Sequence, residues 1–85
     1  MNQGEKLIVV RNFLDKVKMP GVCDFVVLAS DDVQVIINID LEWMQRTSGR
    51  PDLIAKGMRS WLKNKIDDYL GMDLYVGSTG VEKCN

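Results

Sequence analysis

The chain has 85 residues, 46% hydrophobic and 27% charged, with a net charge of −1 and no histidine. That length suits one domain covering residues 1–85 and is too short for two, and the composition excludes a disordered chain and a repeat array. Apolar runs such as Phe25 to Ala29 fall far short of the roughly 20 residues of a membrane helix. The polar start Met-Asn-Gln-Gly-Glu-Lys lacks the pattern of a signal peptide, so a cytoplasmic protein is expected.

Leu7, Val10, Phe13, Leu14 and Val17 recur at helical spacing and predict an amphipathic helix from about Gln3 to Lys18. Asn2 followed three residues on by Glu5 has the form of a capping box, and Pro20-Gly21 ends the helix. Cys23 follows. It and Cys84 are too few for a disulfide framework, and two reduced thiols are the expectation, with a bridge between them as the alternative.

Two strands come next, about Asp24–Ala29 and Val33–Leu41, joined tightly by Ser30-Asp31-Asp32 as an antiparallel hairpin. The second alternates: Val33, Val35, Ile37, Ile39 and Leu41 point one way, Gln34, Ile36, Asn38 and Asp40 the other. The first is apolar on both faces. Either Phe25 and Val27 or Val26 and Leu28 must therefore point away from whatever covers the sheet.

Glu42 to Arg50 reads as a loop, with a short helical turn near Trp43–Thr47 as the alternative. Pro51 then suits the first position of a helix running to about Leu70, because its missing N–H would have no helical partner there. Ile54, Met58, Trp61, Leu62, Ile66 and Tyr69 line its apolar face, and Gly71 sits at its C-terminal cap. Trp61 is thereby expected in the core, and Trp43 is the aromatic left to stack on a base. Lys65 falls within the apolar stripe, so its stem is expected to pack and its ammonium to reach out, toward an acidic strand end. Lys63 and Asp67 are spaced for an i, i+4 ion pair. Met72, Leu74 and Val76 alternate with Asp73 and Tyr75 as a third strand, which Gly77-Ser78-Thr79-Gly80 breaks; residues 78–85 add a short strand or fray. The order α-β-β-α-β predicts an α+β two-layer sandwich, two amphipathic helices on one face of a three-stranded sheet.

Catalysis has little to work with. Histidine is lacking, and no Ser/His or Cys/His pair activates a nucleophile. Asp40 and Glu42, two residues apart on one expected strand face, are carboxylates of the kind that hold Mg²⁺ or Ca²⁺, but no further ligand stands at a recognisable spacing. No cofactor, metal or catalytic residue is assigned.

Two surfaces remain. Val26, Leu28, Ile36 and Tyr75 are candidates for an apolar patch on the outer sheet face, suited to a homodimer or a protein partner. Residues 46–65 carry six bases against one acid, and Arg46, Arg50, Lys56, Arg59 and Lys63 form a candidate nucleic-acid footprint. If Trp43–Thr47 is helical, the order becomes α-β-β-α-α-β, which resembles the type II KH domain, a small RNA-binding fold. The KH fold clamps the nucleic-acid backbone with a GxxG loop between adjacent helices; the corresponding Ser48-Gly49-Arg50-Pro51 has one glycine where that motif has two. The expected function is a small non-catalytic interaction module working through the outer sheet face, with nucleic-acid binding as the alternative.

Overall fold

A computed structural model of the chain describes residues 2–47 and 50–78. It is an α+β sandwich in the order α1 (Gln3–Leu14), β1 (Val22–Ala29), β2 (Val33–Ile39), α2 (Leu41–Thr47), α3 (Pro51–Leu70) and β3 (Tyr75–Ser78). The expected helical turn is thus a helix, α2, and the order is the longer α-β-β-α-α-β.

α1 begins as its cap residues require. The Glu5 N–H donates to Asn2 Oδ1 (2.8 Å), and the Asn2 amide donates to Glu5 Oε1 (3.0 Å). The reciprocal bond thus joins side chain to side chain rather than returning to the backbone of the cap. Helical geometry stops at Leu14, earlier than expected, although Val17 still packs against the core. The Gln3 amide donates to the Ser30 carbonyl (3.2 Å) and Lys6 pairs with Asp32 (3.6 Å), which ties the start of α1 to the hairpin turn.

The sheet has strand order β1-β2-β3. β1 and β2 are antiparallel, with an irregularity between Val22 and Asp24. β3 runs parallel to β2, a pairing that needs a crossover, here supplied by α2 and α3. α1 packs over β1 and β2, and α3 over β3, on the same side of the sheet. Between the layers lie Val33, Val35, Ile37 and Ile39 of β2, Val10 and Leu14 of α1, Met58, Leu62 and Ile66 of α3, and Leu74 and Val76. Each such side chain contributes about 1.5–3 kcal/mol by leaving water.

Two boundaries differ from expectation. β2 ends at Ile39, so Leu41 opens α2 and is partly exposed instead of pointing inward. The backbone turns there because the Asp40 N–H donates to the Gly21 carbonyl (2.7 Å), while the Asp40 carbonyl accepts from the Met44 N–H (3.1 Å). β3 begins at Tyr75, not Met72, and continues through Gly77 and Ser78, where a break was expected. Gly77 fits a strand here because Tyr75 lies across it: an added Cβ would stand 2.9 Å from the tyrosine ring. The expectation of an extra strand or frayed end reaches Thr79 to Asn85, which lie outside the described residues.

Two glycines have positive φ. Gly71 closes α3 in the left-handed region (φ 64°), its N–H donating to the Asp67 carbonyl (2.9 Å). Gly21 also has positive φ (80°), and a Cβ there would overlap the Trp43 ring. Trp43 is therefore half-buried, packed over Gly21 and against the core. Cys23 is disulfide-bonded, against the expectation of a reduced thiol; Cys84 lies outside the described residues. No described helix is long and apolar enough to cross a membrane.

Candidate functional site

The antiparallel register decides the ambiguity of β1. Phe25 pairs with Ile37 and Val27 with Val35, and both partners are buried under the helices. Val26 pairs with Ile36 and Leu28 with Gln34, so Val26 and Leu28 share the opposite face. In β3, Tyr75 pairs with Gln34 and Gly77 with Ile36, on that same outer face. All the side chains expected to form the apolar patch (Val26, Leu28, Ile36 and Tyr75) therefore stand on one face of the sheet. Leu28 is 46% and Tyr75 62% exposed, while Val26 and Ile36 are half-buried between strand neighbours. Gln34 lies between Leu28 and Tyr75, and Asp24 and Asn38, joined by a hydrogen bond, mark the polar end. No lysine or arginine occurs in the three strands.

The basic stretch is arranged differently. α3 reads as four rows of side chains, each spaced by four residues. Ile54, Met58, Leu62, Ile66 and Leu70 face the core. Asp52, Lys56, Ser60, Asn64 and Asp68 face solvent. Arg59 and Lys63 belong to a third row, on the β3 side. Arg59 Nη1 donates to Ser78 Oγ (2.7 Å). The Lys63 ammonium donates to Asp73 Oδ1 (2.7 Å) and to the Leu74 carbonyl (2.8 Å). The Lys63 hydrogen bond, and then its charge, hold the Asp73 carboxyl below its usual range. Lys63 thus pairs with Asp73 and not, as the i, i+4 spacing suggested, with Asp67. Of the expected nucleic-acid footprint, Arg46, Arg50, Lys56 and Lys63 are exposed, while Arg59 ties α3 to β3 and Lys63 ties it to the segment leading into β3. Ser48 and Gly49 of the segment compared with GxxG lie outside the described residues.

The fourth row, Leu53, Gly57, Trp61, Lys65 and Tyr69, was not anticipated as a surface. Trp61 is 44% and Tyr69 70% exposed, which corrects the placement of both on the buried face. The physical reason is width and length. α3 extends about 30 Å, and the four residues of β3 beneath it about 13 Å. One row fills the core contact and its neighbour overhangs. Lys65 does reach out, but to aromatic faces: its Nζ stands 5.6 Å from the Trp61 ring centroid and 5.5 Å from that of Tyr69. Tyr69 in turn meets Phe13 of α1 with ring centroids 6.2 Å apart. The signal was present in the sequence as two apolar rows side by side, which a single helical stripe conceals.

Asp40 and Glu42 do not share a strand face, since Glu42 lies in α2. Among the described residues no three His, Cys, Asp or Glu side chains gather as a metal site would need. A cavity of about 1070 Å³ between the end of α1 and β1 is lined by both charge signs, Arg11 and Lys18 against Asp15 and Asp24. No protein-family model, curated protein or solved structure matches the chain.

Proposed function

We propose that this protein is a small non-catalytic interaction module that associates with a second copy of itself through the outer face of its sheet. One observation supports this reading above the others: Val26, Leu28, Ile36 and Tyr75 stand on one side of an open sheet whose helices α1 and α3 pack on the other. An apolar sheet face without lysine or arginine favours contact with another protein surface over long exposure to water. A twofold dimer is the simplest form of such contact, because each copy offers the same patch. Sedimentation equilibrium over a range of concentrations tests the proposal. The wild type should show a mass rising from 9.6 kDa toward twice that value, and Ile36→Lys should hold the single-chain mass at every concentration. A wild type that stays at the single-chain mass contradicts it.

A second reading, binding of single-stranded RNA, is favoured by the presence of α2, which completes the element order of the type II KH domain, and by the exposure of Arg46 and Lys56. Fluorescence anisotropy against labelled single-stranded RNA and duplex DNA at low and moderate salt tests it; affinity lost with Arg46→Glu and Lys56→Glu supports it.

A cytoplasmic setting belongs to the same proposal. It requires the fold to survive with Cys23 reduced, because cytosolic thiols are kept reduced. Thermal unfolding with and without dithiothreitol measures this. Loss of the folded state on reduction would point instead to an oxidising compartment.

A further inference from the structure

We infer that the protein carries a second binding surface, a groove on its helical side that takes an acidic peptide and seats one apolar side chain of that peptide over Gly57. The groove has a volume of about 440 Å³ and runs between α3, α2 and the segment joining α1 to β1. Its walls are Met19, Pro20, Trp43, Ile54, Met58 and Trp61. That size is within the range of sites that hold a bulky side chain or a small ligand.

Gly57 is the feature that gives the groove its depth. It lies in the interior of α3, where glycine is less favourable to the helix than alanine. Packing does not require it: its φ is not positive, and an added Cβ would meet nothing within 4 Å. Its neighbours one turn away in the same row, Leu53 and Trp61, are 56% and 44% exposed. Gly57 therefore leaves an open notch in the groove beside Trp61, with Ile54 and Met58 also on its walls.

Charge selects the partner. Lys18 is the charged residue lining the groove, and no acid does. Lys65, whose Nζ stands 5.6 Å from the ring of the lining Trp61, sets a second cation beside that wall. Nucleic acid is the less favoured occupant. Trp43 packs on Gly21, Lys65 stands over the Trp61 ring, and Arg59 and Lys63 are turned toward β3, which leaves neither an open stacking pair nor a continuous row of phosphate contacts. A peptide with one aromatic or branched side chain flanked by Asp or Glu matches both the notch and its cations.

The inference is independent of the sheet-face reading, and the test keeps the two apart. A randomised displayed-peptide library is selected on the full-length protein, and the enriched peptides are synthesised and titrated by the fluorescence of Trp43 and Trp61. Enrichment of acidic sequences with one large apolar residue is expected. Their affinity should fall about tenfold or more in Gly57→Leu, which fills the notch, and in Lys18→Glu, and should be kept in Ile36→Lys. Gly57→Leu should also unfold at a higher temperature than the wild type, because leucine favours the helix, so its lost binding cannot be a folding defect. The proposal is overturned if no peptide is enriched or if the enriched peptides are basic or uncharged. Affinity unchanged by Gly57→Leu, or lost with Ile36→Lys, overturns it as well. Single-stranded oligouridine that binds the wild type and is lost with Gly57→Leu would also overturn it, by giving the groove to nucleic acid.

Discussion

The outer sheet face and the basic flank of α3 start from the same kind of sequence signal and end differently. On the sheet, residues far apart in the chain converge: Val26, Leu28, Ile36 and Tyr75 come from three strands and stand together. On α3, residues close in the chain diverge: Lys56 faces solvent, while Arg59 and Lys63 turn to Ser78, Asp73 and Leu74. Strand alternation has a period of two, so once the register is set every side chain has one of two faces. A helical wheel gives a direction around an axis and says nothing of what that direction meets. A side chain opposite the apolar row is solvated, but one a quarter-turn away can lie against the edge of the sheet.

The sharpest way to break the contrast on the sheet is to change adjacent residues of β2. Ile37→Ala should cost about 2–5 kcal/mol in denaturant unfolding, as a fully buried isoleucine does. Ile36→Ala should cost less than half of that, since its side chain is only half-buried. At a concentration low enough to keep the chain single, equal losses would mean that β2 is covered on both faces within one copy and that no open patch exists. The same comparison on α3 sets Leu62→Ala, expected to lose about 2–5 kcal/mol, against Trp61→Ala. The tryptophan substitution should cost less, despite the larger side chain removed, and a reversed order would return Trp61 to the core. A change of opposite sign comes from Gly57→Ala, expected to stabilise the fold by up to about 1 kcal/mol because the site is helical and open.

The smallest expected effect is on the diverging cations. Lys63 holds the Asp73 carboxyl below its usual range, so what the pair contributes is present above the ordinary carboxylate pKa and is lost as pH falls through the depressed one. Both groups are exposed and the pair is screened by salt, so the loss should be slight. An NMR titration of the Asp73 side chain should move toward the ordinary carboxylate value in Lys63→Met. An unchanged titration would show that Lys63 does not hold Asp73.

Much of the architecture was legible where local chemistry settles it. Asn2 and Glu5 announce the start of α1, Pro51 and Gly71 bound α3, and the alternation of Val33 to Ile39 names the buried face of β2. The face of β1 was not legible, because Phe25 to Ala29 is apolar on both sides; only pairing with β2 distinguishes Val26 from Val27. The start of β3 was missed because Met72 to Leu74 alternate as a strand does, yet they lead Leu74 into the core before any pairing with β2 begins. Trp61 and Tyr69 were misplaced because a helix with two adjacent apolar rows gives one broad stripe on a wheel, and the narrow sheet beneath accommodates one row. The convergence of the four outer residues was anticipated, whereas the engagement of Arg59 and Lys63 with β3 depends on where the chain returns after Gly71.

The most direct measurement of the central claim is a concentration series of amide and indole NMR spectra of the wild-type protein. Self-association through the sheet predicts concentration-dependent shifts at Val26, Leu28, Ile36 and Tyr75, with the Trp61 indole signal unmoved. Shifts confined to Trp61 and its α3 row, or none at any concentration, would contradict it.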